Sequence, residues 1–251
     1  MEPQPGDTIV VWFSCGAASA VAAKKTLDLY GGTATVRIVN NPVKEEHPDN
    51  RRFLADVERW LGQKIETAVN PEYPSASAVE VWSRRKFMSG PLGAPCTLLL
   101  KKAARQHWER HNRHDWLVLG FTADEKTRAD RFALTERANL LPVLIEANIT
   151  KAKCFEIVRD AGLRLPAIYS LGFPNANCIG CVKATSPTYW NHVRDVFPEV
   201  FAERAEQSRA LGAKLVRIRS ARAFLDELPR NAKGRRLKLT GVECGIFCEE
   251  K

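Results

Sequence analysis

Seven cysteines give this chain its first chemical signal, because of where they fall. Cys178-Ile179-Gly180-Cys181 is a CxxC pair, Cys96 stands alone well upstream, and Cys244 and Cys248 lie close to the last residue. Cys15 sits in a run of small residues, and Cys154 reads as core. Thiolates bind soft metals and attack electrophiles. Thiols placed this way point to metal or redox chemistry rather than to structural disulfides.

A second signal is the turn Ser14-Cys15-Gly16-Ala17-Ala18-Ser19, which joins an apolar run to a helical stretch. Small side chains there let backbone N–H groups approach a ligand, and the helix N-terminus adds its positive end, making an anion site. Gly120 closes a later apolar run, and beyond it Lys126, Arg128 and Arg131 are cations suited to oxyanions. Asn40 and Asn41 carry amides able to hydrogen-bond a base, and His47 is a candidate acid or ligand. No Ser–His–Asp arrangement is legible, and the remaining histidines lack metal-ligand spacing.

The elements that must position these groups alternate between strand and helix. Thr8–Phe13 reads as a strand buried on both faces, and a helix follows from about Ser19 to Tyr30. Further strands are expected at Val36–Val39, Lys64–Val69, Trp116–Gly120 and Leu141–Ile145. Helices are expected at Asp49–Leu61, Val79–Phe87, Thr97–Asn112 and Lys151–Ala161. This order calls for an α/β fold, a Rossmann-like, mainly parallel sheet flanked by helices, with ligands at the carboxyl ends of the strands. Cys15, Asn40 and Gly120 fall at such ends.

From about Pro187 the character changes to two helical stretches and a basic segment running from Arg217 to Lys238. The expected division is therefore a nucleotide-binding domain over 1–186 and a helical or irregular C-terminal extension over 187–251. A net charge of +9, from 38 Lys and Arg against 29 Asp and Glu, favours nucleotides or an RNA or DNA backbone as partners. Charged residues at 27% and hydrophobic residues at 45% place the chain among ordinary globular proteins. Neither a secretory leader nor an apolar run of membrane-spanning length is read, so a cytoplasmic protein with no membrane partner is expected.

The turn at Ser14–Ser19 resembles the phosphate loop of the adenine nucleotide α-hydrolase (PP-loop) superfamily, with Ala17 and Ala18 where ATP-cleaving members carry Lys and Asp. Leu141-Pro142, Leu165-Pro166, Asn177-Cys178-Ile179-Gly180-Cys181 and Glu243-Cys244-Gly245-Ile246 together resemble the sulfonucleotide reductases of that superfamily, which act on adenosine phosphosulfate or phosphoadenosine phosphosulfate. The resemblance implies an adenine sulfonucleotide held by Ser14, Cys15, Gly16, Ala17, Ser19, Asn40, Gly120, Lys126, Arg128 and Arg131. Thr122 stands where the family has its first loop arginine.

The same resemblance implies Cys244 as nucleophile beside Glu243, a thioredoxin-like electron donor, and sulfite as product. It also implies a [4Fe–4S] cluster on Cys96, Cys178 and Cys181, whose charge Lys101 and Lys102 would offset. Thr97 replaces the second cysteine of the family's Cys-Cys pair. The fourth ligand is then Cys15, Cys244 or Cys248, or one iron is open, and Zn²⁺ is the alternative metal. Two further readings are a sulfur transferase that thiolates RNA, and a non-catalytic module binding a nucleotide or nucleic acid.

Overall fold

The computed structural model describes residues 2–91 and 93–237. Strand β1 (Thr8–Phe13) leads through the small-residue turn into helix α1 (Ala17–Tyr30), β2 (Thr35–Asn40), α2 (Asp49–Leu61), β3 (Glu66–Thr67) and α3 (Ala78–Arg85). A π-helical segment at Thr97–Lys102 runs into α4 (Ala103–His111), β4 (Trp116–Val118) and a 3₁₀ turn at Ala123–Glu125. The chain continues through α5 (Lys126–Thr135), α6 (Val143–Glu146), α7 (Lys151–Asp160), α8 (Ala167–Ser170), α9 (Pro187–Val196) and α10 (Pro198–Ala210). A hairpin of β5 (Val216–Ile218) and β6 (Ala221–Ala223) follows.

The four-stranded sheet has the order β3-β2-β1-β4, and all its pairs are parallel. Strand β1 is buried along its whole length, and its side chains alternate between the two faces. Ile9, Val11 and Phe13 join a core with α1, α2 and α7. Val10 and Trp12 join a second core with Trp108, Phe121 and Phe132. Such double burial requires helices on both sides and makes this an α/β fold of Rossmann-like arrangement. No helix among the described residues is long and apolar enough to cross a membrane.

One expected strand is absent. Leu141–Ile145 does not extend the sheet; Leu140 forms a single bridge with Leu117, and the chain then turns into α6. Pro142 explains the difference, since it has no N–H for a ladder and stands at the residue before the helical turn. The expected strand at Lys64–Val69 shortens to Glu66–Thr67, and the helix expected from Thr97 begins with a π turn.

A third core gathers Tyr73, Trp82 and Leu100 with Ile179, Trp190, Phe201, Val216 and Leu225. It packs the loops around Cys96 and the CxxC pair against α9, α10 and the hairpin. Residues on both sides of position 187 fill it.

Gly120, just beyond β4, packs closely on the start of α1. A Cβ there would lie 2.9 Å from the Ser19 nitrogen and 3.1 Å from the Ala18 carbonyl carbon, both backbone atoms at the start of α1. Gly120→Ala is therefore expected to destabilise the fold by about 1–3 kcal/mol. Thermal unfolding checks this against Gly32→Ala, where a Cβ would meet nothing within 4 Å; equal melting temperatures would remove the argument.

Candidate functional site

The turn after β1 is closed by its own side chains. Ser14 donates from its N–H and its hydroxyl to the Ser19 Oγ, each at 3.1 Å, and the Ser19 hydroxyl donates to the Gly16 carbonyl at 3.0 Å. Gly16 precedes α1 without a side-chain cap, and no acidic residue lies in the first turn. Cys15 adopts a left-handed backbone with φ of 57° and is buried. Its thiol receives the Asn40 amide at 3.5 Å. Burial, reinforced by the Glu46 charge, pushes the Cys15 thiol far above its ordinary range, with Lys101 and Asn40 opposing weakly. Cys15 is thus a neutral thiol at physiological pH.

Asn40 and Asn41 do structural work with the amides expected to meet a base. The Asn40 Nδ2 donates to the Phe13 carbonyl at 2.7 Å, and the Asn41 Nδ2 to Ala68 at 2.8 Å. Both side chains are buried. His47 caps the start of α2, its Nδ1 accepting the Asp49 N–H at 3.1 Å.

The same loop ties the sheet to the cysteines. Glu45 caps α3 through Ser77 and the Ala78 N–H, while its carbonyl accepts the Ile179 N–H at 2.9 Å. Glu46 forms a backbone bridge with Cys178. Its carboxylate meets Lys101 Nζ at 2.9 Å, and that ammonium also donates to the Asn41 carbonyl at 2.7 Å. Both side chains of this pair are about 90% buried, at 8% and 10% exposure. Lys101 therefore carries a matched charge, and Lys102 pairs with Glu136 at 3.2 Å.

Cys178 and Cys181 line a cavity of about 590 Å³. The Tyr189 hydroxyl accepts the Cys181 N–H at 2.8 Å. Burial first, then charge on the Cys181 thiol, push that phenol above its usual range. Gly180, at φ of 66°, presses the CxxC loop onto α9 and α10; a Cβ there would stand 3.2 Å from Val200 and 3.5 Å from the Arg204 Nε. Arg204 is 2% exposed, lies over the Trp82 ring at 4.6 Å, and has an Nε with no hydrogen-bond partner among the described residues. Desolvation lowers its pKa, while Glu45 and Cys178 favour its charge.

Cys96 packs against the same core, and its loop is fastened to the CxxC loop where the Ser89 hydroxyl donates to the Val182 carbonyl at 2.9 Å. Among the described residues, no three His, Cys, Asp or Glu side chains form a group able to hold a metal ion.

The other expected residues fall elsewhere. Lys126 pairs with Asp130 at 2.8 Å, and Arg128 pairs with Glu125 at 2.6 Å while lying over Phe121. Arg131 is exposed on α5. Thr122 caps the turn before that helix together with Glu125. The cavity's lining runs from Ile168 to Leu237 and includes neither the β1–α1 turn nor Cys96. Glu243, Cys244 and Cys248 lie outside the described residues.

Several residues at the site gave no sign in the sequence. Arg204 sits mid-helix in α10 like any surface arginine, and Lys151 is an ordinary helix start. Yet Lys151 is buried, donating to Pro174 at 2.9 Å and to Asn175 Oδ1 at 2.5 Å, which fixes the approach to the CxxC pair. No protein-family model and no curated protein matches the chain.

Cys15 is expected to resist iodoacetamide at pH 8 in the folded protein while Cys178 and Cys181 react, as peptide mapping after alkylation would show. Because folding holds Cys15 protonated, stability falls as pH rises above about 8.5, where the unfolded thiol ionises. Cys15→Ala removes that alkaline loss. Lys101→Met, which strands Glu46, is expected to cost about 3–5 kcal/mol in urea unfolding, with Lys101→Met/Glu46→Leu recovering part of it.

Proposed function

We propose that this protein is an enzyme of the phosphosulfate reductase type in the adenine nucleotide α-hydrolase superfamily, with a thiolate-bound [4Fe–4S] cluster beside its substrate. The observation that carries the reading is the cavity itself. Cys178 and Cys181 line it together with Lys183, Arg217, Arg219, Lys233, Arg235 and Arg236, and no Asp or Glu is among the described lining residues. Sulfate and phosphate oxygens are drawn to a field of one positive sign, and the thiols face the same space.

Cys96, Cys178 and Cys181 would hold the cluster, with Zn²⁺ as the alternative metal. Bound there, such a cluster would supply an electron-transfer and polarising centre beside the substrate. The uncapped start of α1 at Gly16 is suited to the nucleotide's phosphate, and Gly120 keeps that approach open. Cys244, activated by cations, would attack the sulfur of the phosphosulfate. An S–S bond forms, the S–O bond breaks, and the adenine nucleotide leaves with the electron pair on its phosphate oxygen. A thioredoxin-like dithiol then supplies two electrons, releasing sulfite and becoming a disulfide.

A second reading, sulfur transfer to an RNA base, is favoured by the number of cations, which exceeds what one phosphosulfate needs. Anaerobic purification should give a brown protein with about four irons and four sulfides per chain, lowered by Cys178→Ser. Sulfite should be released from adenosine phosphosulfate or its 3′-phosphorylated form, and Cys244→Ser should abolish it. A colourless zinc protein would end the cluster reading. Absence of sulfite alongside sulfur appearing in RNA would replace the reductase by the transferase.

A further inference from the structure

The cations around the thiols outnumber the demands of a mononucleotide, and their placement is more informative than their number. They come from three stretches of chain: Lys183 just beyond the CxxC pair, Arg217 and Arg219 on the hairpin, and Lys233, Arg235 and Arg236 near the end of the described residues. Arg217, Arg219, Lys233, Arg235 and Arg236 are exposed and form no ion pair among the described residues. Several other surface arginines are matched: Arg37 with Glu66, Arg113 with Asp115, and Arg209 with Asp226 and Glu227.

The hairpin is built against its own electrostatic interest. Arg217 stands directly opposite Arg222 in the register of β5 and β6. Like charges directly opposite on paired strands repel. Arg219 occupies the two-residue turn between Ile218 and Ala221 with φ of 54°, a backbone where Gly, Asn or Asp is the ordinary choice. A long cation is retained at a position that disfavours it. The Arg217 N–H docks the strand to the Thr185 carbonyl at 2.8 Å, so this charge is held beside the CxxC loop.

We propose that this basic cavity binds the phosphate backbone of a single-stranded polynucleotide, with Arg217, Arg219, Lys233, Arg235 and Arg236 as its phosphate contacts. A strand carries one charge per nucleotide and can meet cations from three segments together, whereas a single small oxyanion takes two or three of them. The inference shares its cavity with the proposed enzyme site but stands on charge and geometry alone. It holds or fails independently of the cluster and of sulfite release.

The test is fluorescence anisotropy of labelled RNA and DNA strands of about 12 nucleotides, titrated between about 50 and 300 mM salt. Five phosphate contacts on a single strand predict a slope of log affinity against log salt near −3.5. The triple variant Arg217→Ala/Arg219→Ala/Arg235→Ala should flatten that slope by about 2 and weaken binding at least about tenfold at low salt. A charge-matched control, Arg59→Ala/Lys64→Ala/Lys153→Ala, should change neither, and unfolding curves verify that both variants are folded. Binding by either RNA or DNA with this pattern supports the proposal. An unchanged slope in the folded cavity variant overturns it. So does full displacement of the strand by pyrophosphate at equal phosphate concentration, which would make this a small-oxyanion pocket.

Discussion

The buried contact between Lys101 and Glu46 is the constraint on which the arrangement of the site depends. Glu46 belongs to the loop leaving β2, Lys101 to the π-helical segment after Cys96, and the Glu46 backbone bridges to Cys178. One ion pair therefore joins the end of the parallel sheet to both cysteine-bearing loops. Desolvating two charges is costly, and the Asn41 carbonyl offsets part of that cost by accepting a further bond from the same ammonium. The pair also sets the electrostatics of the neighbouring turn, since both of its charges act on the Cys15 thiol.

Around this link the chain separates two kinds of anion environment. The start of α1 offers backbone dipoles and no charged side chain in its first turn, with a neutral thiol beneath it. The cavity at Cys178 and Cys181 offers formal positive charge and exposed guanidinium groups. Dipoles recognise a phosphate by close fit, whereas exposed arginines act at longer range and are screened by salt. The first depends on close fit and the second on accumulated charge.

Much of the fold was legible because β1 is apolar along its whole length, and a strand buried on both faces demands a parallel sheet with helices on each side. The boundaries of α2 follow the spacing of Phe53 and Val57 and the glycine after Leu61. Leu141–Ile145 misled because apolar content outweighed Pro142. At the site, the cysteine spacing marked the CxxC loop, but amides and charges could not be assigned in advance. Asn40, Asn41 and His47 were consumed by strand ends and a helix start, which depend on contacts distant in sequence. Arg204 was invisible for the converse reason: its burial is created by Trp82 and Gly180 arriving from other parts of the chain.

The π-helical segment at Thr97–Lys102 amounts to one residue more than an α-helix needs for the same rise. In an α-helix each residue turns the chain by about 100°, and the wider π turn takes up one extra residue without passing that rotation on to its flanks. Cys96 stands just before the segment and Lys101 within it, already matched to Glu46. The reach of chain between a thiol and a buried cation is thus set by a count of residues, a quantity that point substitution leaves intact and a single deletion changes.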